Sequence, residues 1–214
     1  TVICWSYRST TRIPSSSQFS FLNCEDFQIL YPANWASVSA ALFRAVAAWN
    51  TARSGLQMVH LAESQAEIDF LARGNGFFEV LLKRRGRWVP NFQSPGLSPP
   101  AYLDSLEFLG PRTLTVHGTQ LTAVDCDLLA GTKTWLVLCP QANRYTGAGA
   151  PPVSELLQAG VNLALGTDSL AGNWDLNLFG EMLWLHQNFP AYPGDLWLRL
   201  GTLNGARALG RAQE

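Results

Sequence analysis

The chain has 214 residues, of which 47% are apolar and 14% are charged, and its formal net charge is −1. This length allows one large domain or two small ones with a sizeable core. The composition excludes an intrinsically disordered chain, and the near-neutral charge gives no electrostatic footprint for DNA, RNA or an anionic membrane.

The termini and the cysteines bear on the compartment. No apolar run is long enough to predict a transmembrane helix, and the first residues lack the basic and apolar regions of a signal peptide. The chain begins with Thr1 and stops at Glu214 without an evident final element, so we expect a piece of a longer protein. The four cysteines are widely spaced, without a C-x-x-C pair. We therefore expect free thiols in a reducing compartment and a cytoplasmic protein.

The predicted elements begin after an irregular first segment. Residues 1–36 show no sustained apolar period, and a helix is predicted over 38–49. Short apolar runs then predict strands over 56–59, 113–116, 134–138 and 161–165. Helices are predicted over 64–71, 123–129, 153–159, 175–186 and 196–209, with a glycine-rich loop over 143–149.

Strands that alternate with helices indicate a buried parallel sheet, so the predicted fold class is α/β. A complete (β/α)8 barrel needs about 250 residues, and only about half of the units are readable. We therefore predict a partial TIM-type barrel over residues 37–214, preceded by the irregular segment 1–36.

Three polar residues follow directly on apolar strands. His60, His117 and Asp168 are each the first strong polar group after a strand. Glu63 lies three residues after His60, at the turn between the strand and the following helix. Side chains at the carboxyl ends of parallel strands meet at one edge of the sheet. Imidazole and carboxylate groups are ligands for a catalytic divalent metal such as zinc. Each residue alone has a structural explanation, since Glu63 also fits a helix-capping carboxylate.

Several motifs together resemble the amidohydrolase superfamily, in its deaminase and chlorohydrolase branch. The motifs are His60-Leu61-Ala62-Glu63-Ser64, Val116-His117-Gly118, Cys139-Pro140-Gln141-Ala142-Asn143, Leu165-Gly166-Thr167-Asp168-Ser169, the run from Asn173 to Met182, and Thr202 to Gly210. The likeness covers roughly residues 37–210 and depends on the agreement of independent motifs.

The resemblance implies roles for these residues. His60, after barrel strand five, would bind the metal, and Asp168, after strand eight, would bind the metal and take a proton from the attacking water. His117, after strand six, would orient that water or the developing oxyanion, and Glu63 would transfer a proton to a ring nitrogen or leaving group. Asn143 and Asn173 would line the substrate side. The implied cofactor is a divalent metal, zinc or alternatively iron.

The sequence departs from the family in two places. It has no His-x-His pair, and Ala33 stands where the strand-four motif carries a histidine. The remaining histidine, His186, falls on a predicted helix, where an exposed surface role is the simpler interpretation.

Two functional hypotheses remain open. The first is a metal-dependent hydrolase of non-peptide carbon–nitrogen bonds that deaminates a heterocyclic small molecule, with dechlorination as a related reaction. The second is an inactive half-barrel remnant or interaction module. In either case we expect no nucleic acid or membrane partner. An open sheet edge would favour self-association.

Overall fold

The structure, a computed structural model, describes residues 20–24, 27–31 and 38–213. Within these residues six strands form one sheet in the order β1 to β6. Strands β1 and β2 pair antiparallel, and all later neighbours pair parallel. The strands are β1 Ser20–Cys24, β2 Phe27–Tyr31, β3 Leu56–Leu61, β4 Thr113–His117, β5 Trp135–Leu138 and β6 Asn162–Leu165.

Ten helices connect or follow the strands in the described part of the chain. They are α1 Ala40–Arg53, α2 Gln65–Arg73, α3 Phe77–Arg84, α4 Pro99–Ser105, α5 Ala123–Gly131, α6 Pro140–Thr146, α7 Val153–Gln158, α8 Leu178–Asn188, α9 Gly194–Gly201 and α10 Leu203–Ala208. None of the described helices combines the length and apolar character needed to cross a membrane.

Both faces of strands β3 to β6 are buried. Val59 and Leu61 of β3 join the main core, which includes Phe43 of α1 and Trp197 of α9. Met58 instead joins a smaller apolar cluster on the other face of the sheet. Successive side chains of a strand point to opposite faces, so burial on both faces requires a continuous apolar run. This explains why the strands were readable from the sequence.

The predicted fold class is confirmed. The four predicted strands correspond to β3 to β6, and the described residues form an open sheet with β1 and β6 at its edges. An open parallel sheet with helices matches a partial barrel.

Three local predictions differ from the structure. The helix predicted over 196–209 is two helices, because the backbone leaves helical geometry at Thr202, with φ −123° and ψ −86°. The predicted loop over 143–149 is helical as far as Thr146, and it ends at Gly147 in the left-handed conformation. Within segment 1–36, β1 and β2 are regular strands, and the rest of that segment lies outside the described residues.

Candidate active site

The carboxyl ends of β3 and β4 bring two histidines together. The parallel register places His60 opposite Val116 and Leu61 opposite His117. The two imidazole rings lie edge to face, with their centroids 4.4 Å apart. Adjacent strands therefore place residues that are distant in sequence at one edge of the sheet, as predicted.

Glu63 lies between the two histidines. Its Oε2 is 3.4 Å from His60 Nδ1 and 3.8 Å from His117 Nε2. The hydrogen bond from His60 lowers the pKa of Glu63, and the charge of His117 acts in the same direction against the effect of burial. Glu63 is thus held as a carboxylate next to two imidazoles.

Asp168 approaches the same place from the end of β6. Its Oδ2 lies 4.0 Å from His117 Nε2, and its Oδ1 accepts a hydrogen bond of 2.7 Å from the Ser169 amide. A Cβ atom added to Gly172 would lie 2.9 Å from Asp168 Oδ2. The absence of a side chain at Gly172 therefore leaves room for the carboxylate. We call His60, Glu63, His117 and Asp168 the strand-end cluster.

His117 is the most buried member of the strand-end cluster, with 1% of its surface exposed. Its Nδ1 is 2.8 Å from Asn143 Oδ1, and its Nε2 has no hydrogen-bond partner among the described residues. Burial lowers the pKa of His117, as does His60, whereas Glu63 and Asp168 act in the opposite direction. With the Asn143 oxygen as acceptor, Nδ1 carries the proton and the lone pair is on Nε2.

The backbone at these strand ends adopts left-handed conformations. The φ angles are 78° at His117 and 57° at Asp168, and Ala62 beside Glu63 has φ 50°. Such conformations cost on the order of 1 to 3 kcal/mol for residues with a side chain, and they concentrate at functional sites.

Two buried carboxylates outside the strand-end cluster support these loops. Neither has a role that the sequence alone predicts. Glu67 of α2 accepts hydrogen bonds from the amides of Ala62 and Glu63, at 2.7 and 2.8 Å. Glu181 of α8 accepts from the Gln141 amide and from Asn173 Nδ2, at 2.8 and 2.9 Å. In the sequence, the only sign of a role for Glu67 is its closeness to the His60 motif. The only sign for Glu181 is its place in the run from Asn173 to Met182, which resembles the amidohydrolase superfamily.

The two asparagines predicted on the substrate side are both buried. Asn143 contacts His117, and its Nδ2 has no hydrogen-bond partner within the part of the chain that the structure describes. Asn173 donates to the Thr167 carbonyl and to Glu181, and it accepts from the Trp174 amide. Their side chains thus make contacts that position neighbouring loops, and substrate contact stays a prediction for both.

The donors of the strand-end cluster fit a divalent cation. Among the described residues, His60, Glu63 and His117 form a group whose potential ligand atoms all lie within 4.8 Å of one another. The buried His117 Nε2 without a hydrogen-bond partner is the kind of atom that a ligand completes. Imidazole nitrogens and carboxylate oxygens are suitable ligands for zinc. Asp168 lies outside that group of three, and its Oδ2 is 4.0 Å from Nε2 of His117, which belongs to the group.

The helix predicted over 175–186 carries the third histidine. His186 lies on α8 and is exposed, as the simpler interpretation of the sequence indicated. It is not part of the strand-end cluster.

Two proteins with deaminase names have sequences similar to this chain. The chain is 36% identical over 160 residues to a 5-methylthioadenosine/S-adenosylhomocysteine deaminase of Syntrophobacter fumaroxidans. The aligned region covers 72% of this chain and 32% of that protein. It is also 38% identical over 125 residues to a 5'-deoxyadenosine deaminase of Methanothermobacter thermautotrophicus. This alignment covers 55% of this chain and 29% of that protein. The chain thus spans about a third of the length of these curated relatives.

A solved structure shares the fold. The crystal structure of an adenosine deaminase from Xanthomonas campestris with bound zinc superposes with a TM-score of 0.69 at 30% identity, over 85% of this chain and 38% of that one. The sequence model of the amidohydrolase family matches residues 29–214. Because this match extends over most of the sequence and the same motifs supply the strand-end cluster, the chain belongs to the amidohydrolase family.

Proposed function

We propose that this chain contributes the strand-end cluster of a metal-dependent hydrolase that deaminates a heterocyclic amine. The observation that carries this proposal is the convergence of His60, Glu63, His117 and Asp168 at one edge of the parallel sheet. The deaminase names of the relatives support hydrolysis of a carbon–nitrogen bond over dechlorination.

His60 and Asp168 would hold the cation, which we propose to be zinc. Potential ligand atoms of His117 and Glu63 lie within 4.8 Å of one of His60, so both side chains would face a water molecule beside the cation. A divalent cation at this position supplies Lewis acidity, which lowers the pKa of a water molecule toward neutrality. The role of the protein groups is then to orient reactants and move protons.

The protonation states favour particular roles. Asp168 would accept the proton of the attacking water through Oδ2, because its Oδ1 is already used by Ser169. His117, with its lone pair on Nε2, would accept a hydrogen bond from that water. The lowered pKa of His117 therefore favours water orientation over stabilisation of an oxyanion, which requires a donor.

Glu63 would transfer a proton between water and the heterocycle. Its pKa is lowered, so it begins as a carboxylate that can accept a proton. Its side chain is 30% exposed, so it can reach a substrate as well as the two histidines. A base that receives a proton and returns it to a ring nitrogen or amino group is what addition and elimination at an aromatic carbon require.

The relatives indicate the substrate class. Their names specify adenine nucleosides modified at the 5' position, so we propose an adenine nucleoside as substrate and ammonia as product. The partner is then a heterocyclic small molecule. The free, buried thiols of Cys126 and Cys139 fit a reducing compartment, and we propose the cytoplasm.

The second candidate is a remnant without catalysis. The observation that favours it is that the 214 residues contain no His-x-His pair. Three or more protein ligands are normal for catalytic zinc, and the strand-end cluster reaches that number only with Glu63 or His117.

Ammonia release separates the two candidates. The purified chain, supplied with zinc, would be assayed with 5'-deoxyadenosine, together with Asp168→Asn and the control Asp127→Asn, which changes an exposed carboxylate of α5. Release by the wild type and by the control but not by Asp168→Asn would support the deaminase. Absence of release from the zinc-loaded wild type would show that this chain alone does not deaminate 5'-deoxyadenosine and would favour the remnant.

A further inference from the structure

Glu181 is a buried carboxylate that joins two loops of the site. It lies on α8 with 1% of its surface exposed. Its Oε2 accepts a 2.8 Å hydrogen bond from the Gln141 amide, and its Oε1 accepts one of 2.9 Å from Asn173 Nδ2. Both carboxylate oxygens are therefore used, by one donor in helix α6 and one in the connection between β6 and α8.

One contact leads to Asp168. Asn173 Nδ2 also donates a 2.7 Å hydrogen bond to the Thr167 carbonyl, directly before Asp168. Asn173 Oδ1 accepts from the Trp174 amide at 2.8 Å. Glu181 thus fixes the amide orientation of Asn173, which holds the loop over 167–174 closed around Asp168.

The other contact leads to His117. Gln141 is the second residue of helix α6, and Asn143 follows two residues later in the same helix. Asn143 Oδ1 is the hydrogen-bond partner of His117 Nδ1, at 2.8 Å. A shift of α6 would therefore move Asn143 relative to the imidazole, and the hydrogen bond from Gln141 to Glu181 opposes that shift.

The packing of α8 against α6 leaves little freedom. A Cβ atom added to Gly180 would lie 2.9 Å from Gln141 Nε2 and 3.3 Å from Asn177 Nδ2. The glycine beside Glu181 therefore permits the close approach that brings its carboxylate within reach of the Gln141 amide.

We propose that Glu181 is a positioning residue that holds Asp168 and the Asn143–His117 pair in fixed relation to each other. This proposal depends on the proposed function, because the geometry it maintains is that of the strand-end cluster. The carboxylate is suited to the role because it accepts two hydrogen bonds and donates none. An amide of the same shape would direct an N–H group at a donor and lose one of the two contacts.

Burial and the two hydrogen bonds act in opposite directions on the ionisation of Glu181. Burial raises the pKa of Glu181 to about 7, and Asp175 and Asp168 act in the same direction. The hydrogen bonds from Gln141 and Asn173 act in the opposite direction, since they stabilise the carboxylate.

The test compares Glu181→Gln with Glu155→Gln, which changes an exposed glutamate of α7. In the ammonia assay we expect Glu181→Gln to lower kcat by about 10- to 100-fold with a smaller change in KM, as for other residues that orient metal ligands. Glu155→Gln should retain the wild-type kcat. An unchanged kcat in a folded Glu181→Gln protein would overturn the proposal.

Histidine NMR gives a readout that does not need activity. The chain has three histidines, so the imidazole signals of His117 and the exposed His186 can be resolved and assigned. Glu181→Gln should shift the His117 ring signals and leave those of His186 in place. Unchanged His117 signals would contradict the positioning role of Glu181. Absence of ammonia release from the wild type would count against the proposed function alone, because the NMR readout does not depend on activity.

A second variant serves if Glu181→Gln does not fold. Asn173→Ser removes the bridge to Thr167 and leaves the contact between Glu181 and Gln141. We expect kcat to fall, because the loop that carries Asp168 loses its contact with Glu181. Wild-type kcat in a folded Asn173→Ser protein would contradict the proposal.

Discussion

Glu67 and Glu181 are buried carboxylates that support the strand-end cluster over different distances along the chain. Glu67 accepts from the amides of Ala62 and Glu63, so it ties a strand-end loop to the helix that follows it. Glu181 accepts from Gln141 and Asn173, so it ties together the loops after β5 and β6. Glu67 stabilises one β/α unit, whereas Glu181 connects two of them.

The two carboxylates therefore differ in which part of the strand-end cluster they hold in place. Removal of Glu67 should affect the loop that carries His60 and Glu63. Removal of Glu181 should affect how Asp168 is placed relative to His117.

The largest expected effect is on stability, for Glu67→Ala. Glu67 is 3% exposed, and its removal leaves two amides beside fully buried Ala62 without their acceptor. Each unsatisfied buried group costs about 1 to 3 kcal/mol, so we expect a loss of about 4 kcal/mol in the free energy of unfolding, measured with urea. The control Glu79→Ala breaks a surface pair with Lys83 and should cost about 0 to 1 kcal/mol. Equal losses in both variants would refute the local role of Glu67.

The second effect is on the pH dependence of stability, through Glu181. Its pKa is raised from 4.5 to about 7 on folding, so its contribution to stability is full below pH 4.5 and is lost as the pH rises through about 7. Its charged and titratable neighbours are Asp168, Asp175 and the buried thiol of Cys139. The wild type should lose about 3 kcal/mol relative to Glu181→Gln between pH 4.5 and 8. Parallel stability curves for the two proteins would show that this assignment is wrong.

The third effect concerns the space beside Asp168. Gly172→Ala places a methyl group 2.9 Å from Asp168 Oδ2, which must then move. We expect zinc affinity to fall about tenfold, a typical effect of disturbing a ligand's surroundings. Gly131→Ala adds a methyl group with no atom within 4 Å and should bind zinc as the wild type does. If Gly172→Ala binds zinc with wild-type affinity, Asp168 is not a ligand or has room to adjust.

The smallest expected effect is association through the sheet edge. Glu67 belongs to an interior unit, whereas Glu181 supports the unit of β6, which lies at one edge of the described sheet. Unpaired strand groups at an edge favour pairing with another chain. Sedimentation velocity should therefore show association that increases with concentration. A single monomeric species at all concentrations would contradict this expectation.

Sequence reasoning succeeded where the signal was local. The strands were visible because both of their faces are buried, and His60, His117 and the carboxylate of Asp168 follow directly on apolar runs. Parallel strands place their carboxyl ends together, so convergence of these residues followed from topology alone. The structure brings them together, and their chemical roles remain proposals.

Contacts between distant segments were not predictable. The hydrogen bond between Glu181 and Gln141 joins residues 40 positions apart, and no periodicity encodes it. The division of the last predicted helix at Thr202 likewise depends on backbone angles, since the apolar pattern continues through it. Such features follow from packing between units and not from the pattern within one.

The central claim is that the strand-end cluster forms one divalent-cation site. Calorimetric titration of the metal-free chain with zinc tests it most directly, with His60→Ala and the control His186→Ala, which alters the exposed histidine of α8. The wild type and His186→Ala should bind one zinc ion per chain, and His60→Ala should lose tight binding. Absence of binding by the wild type, or equal binding by His60→Ala, would contradict the account.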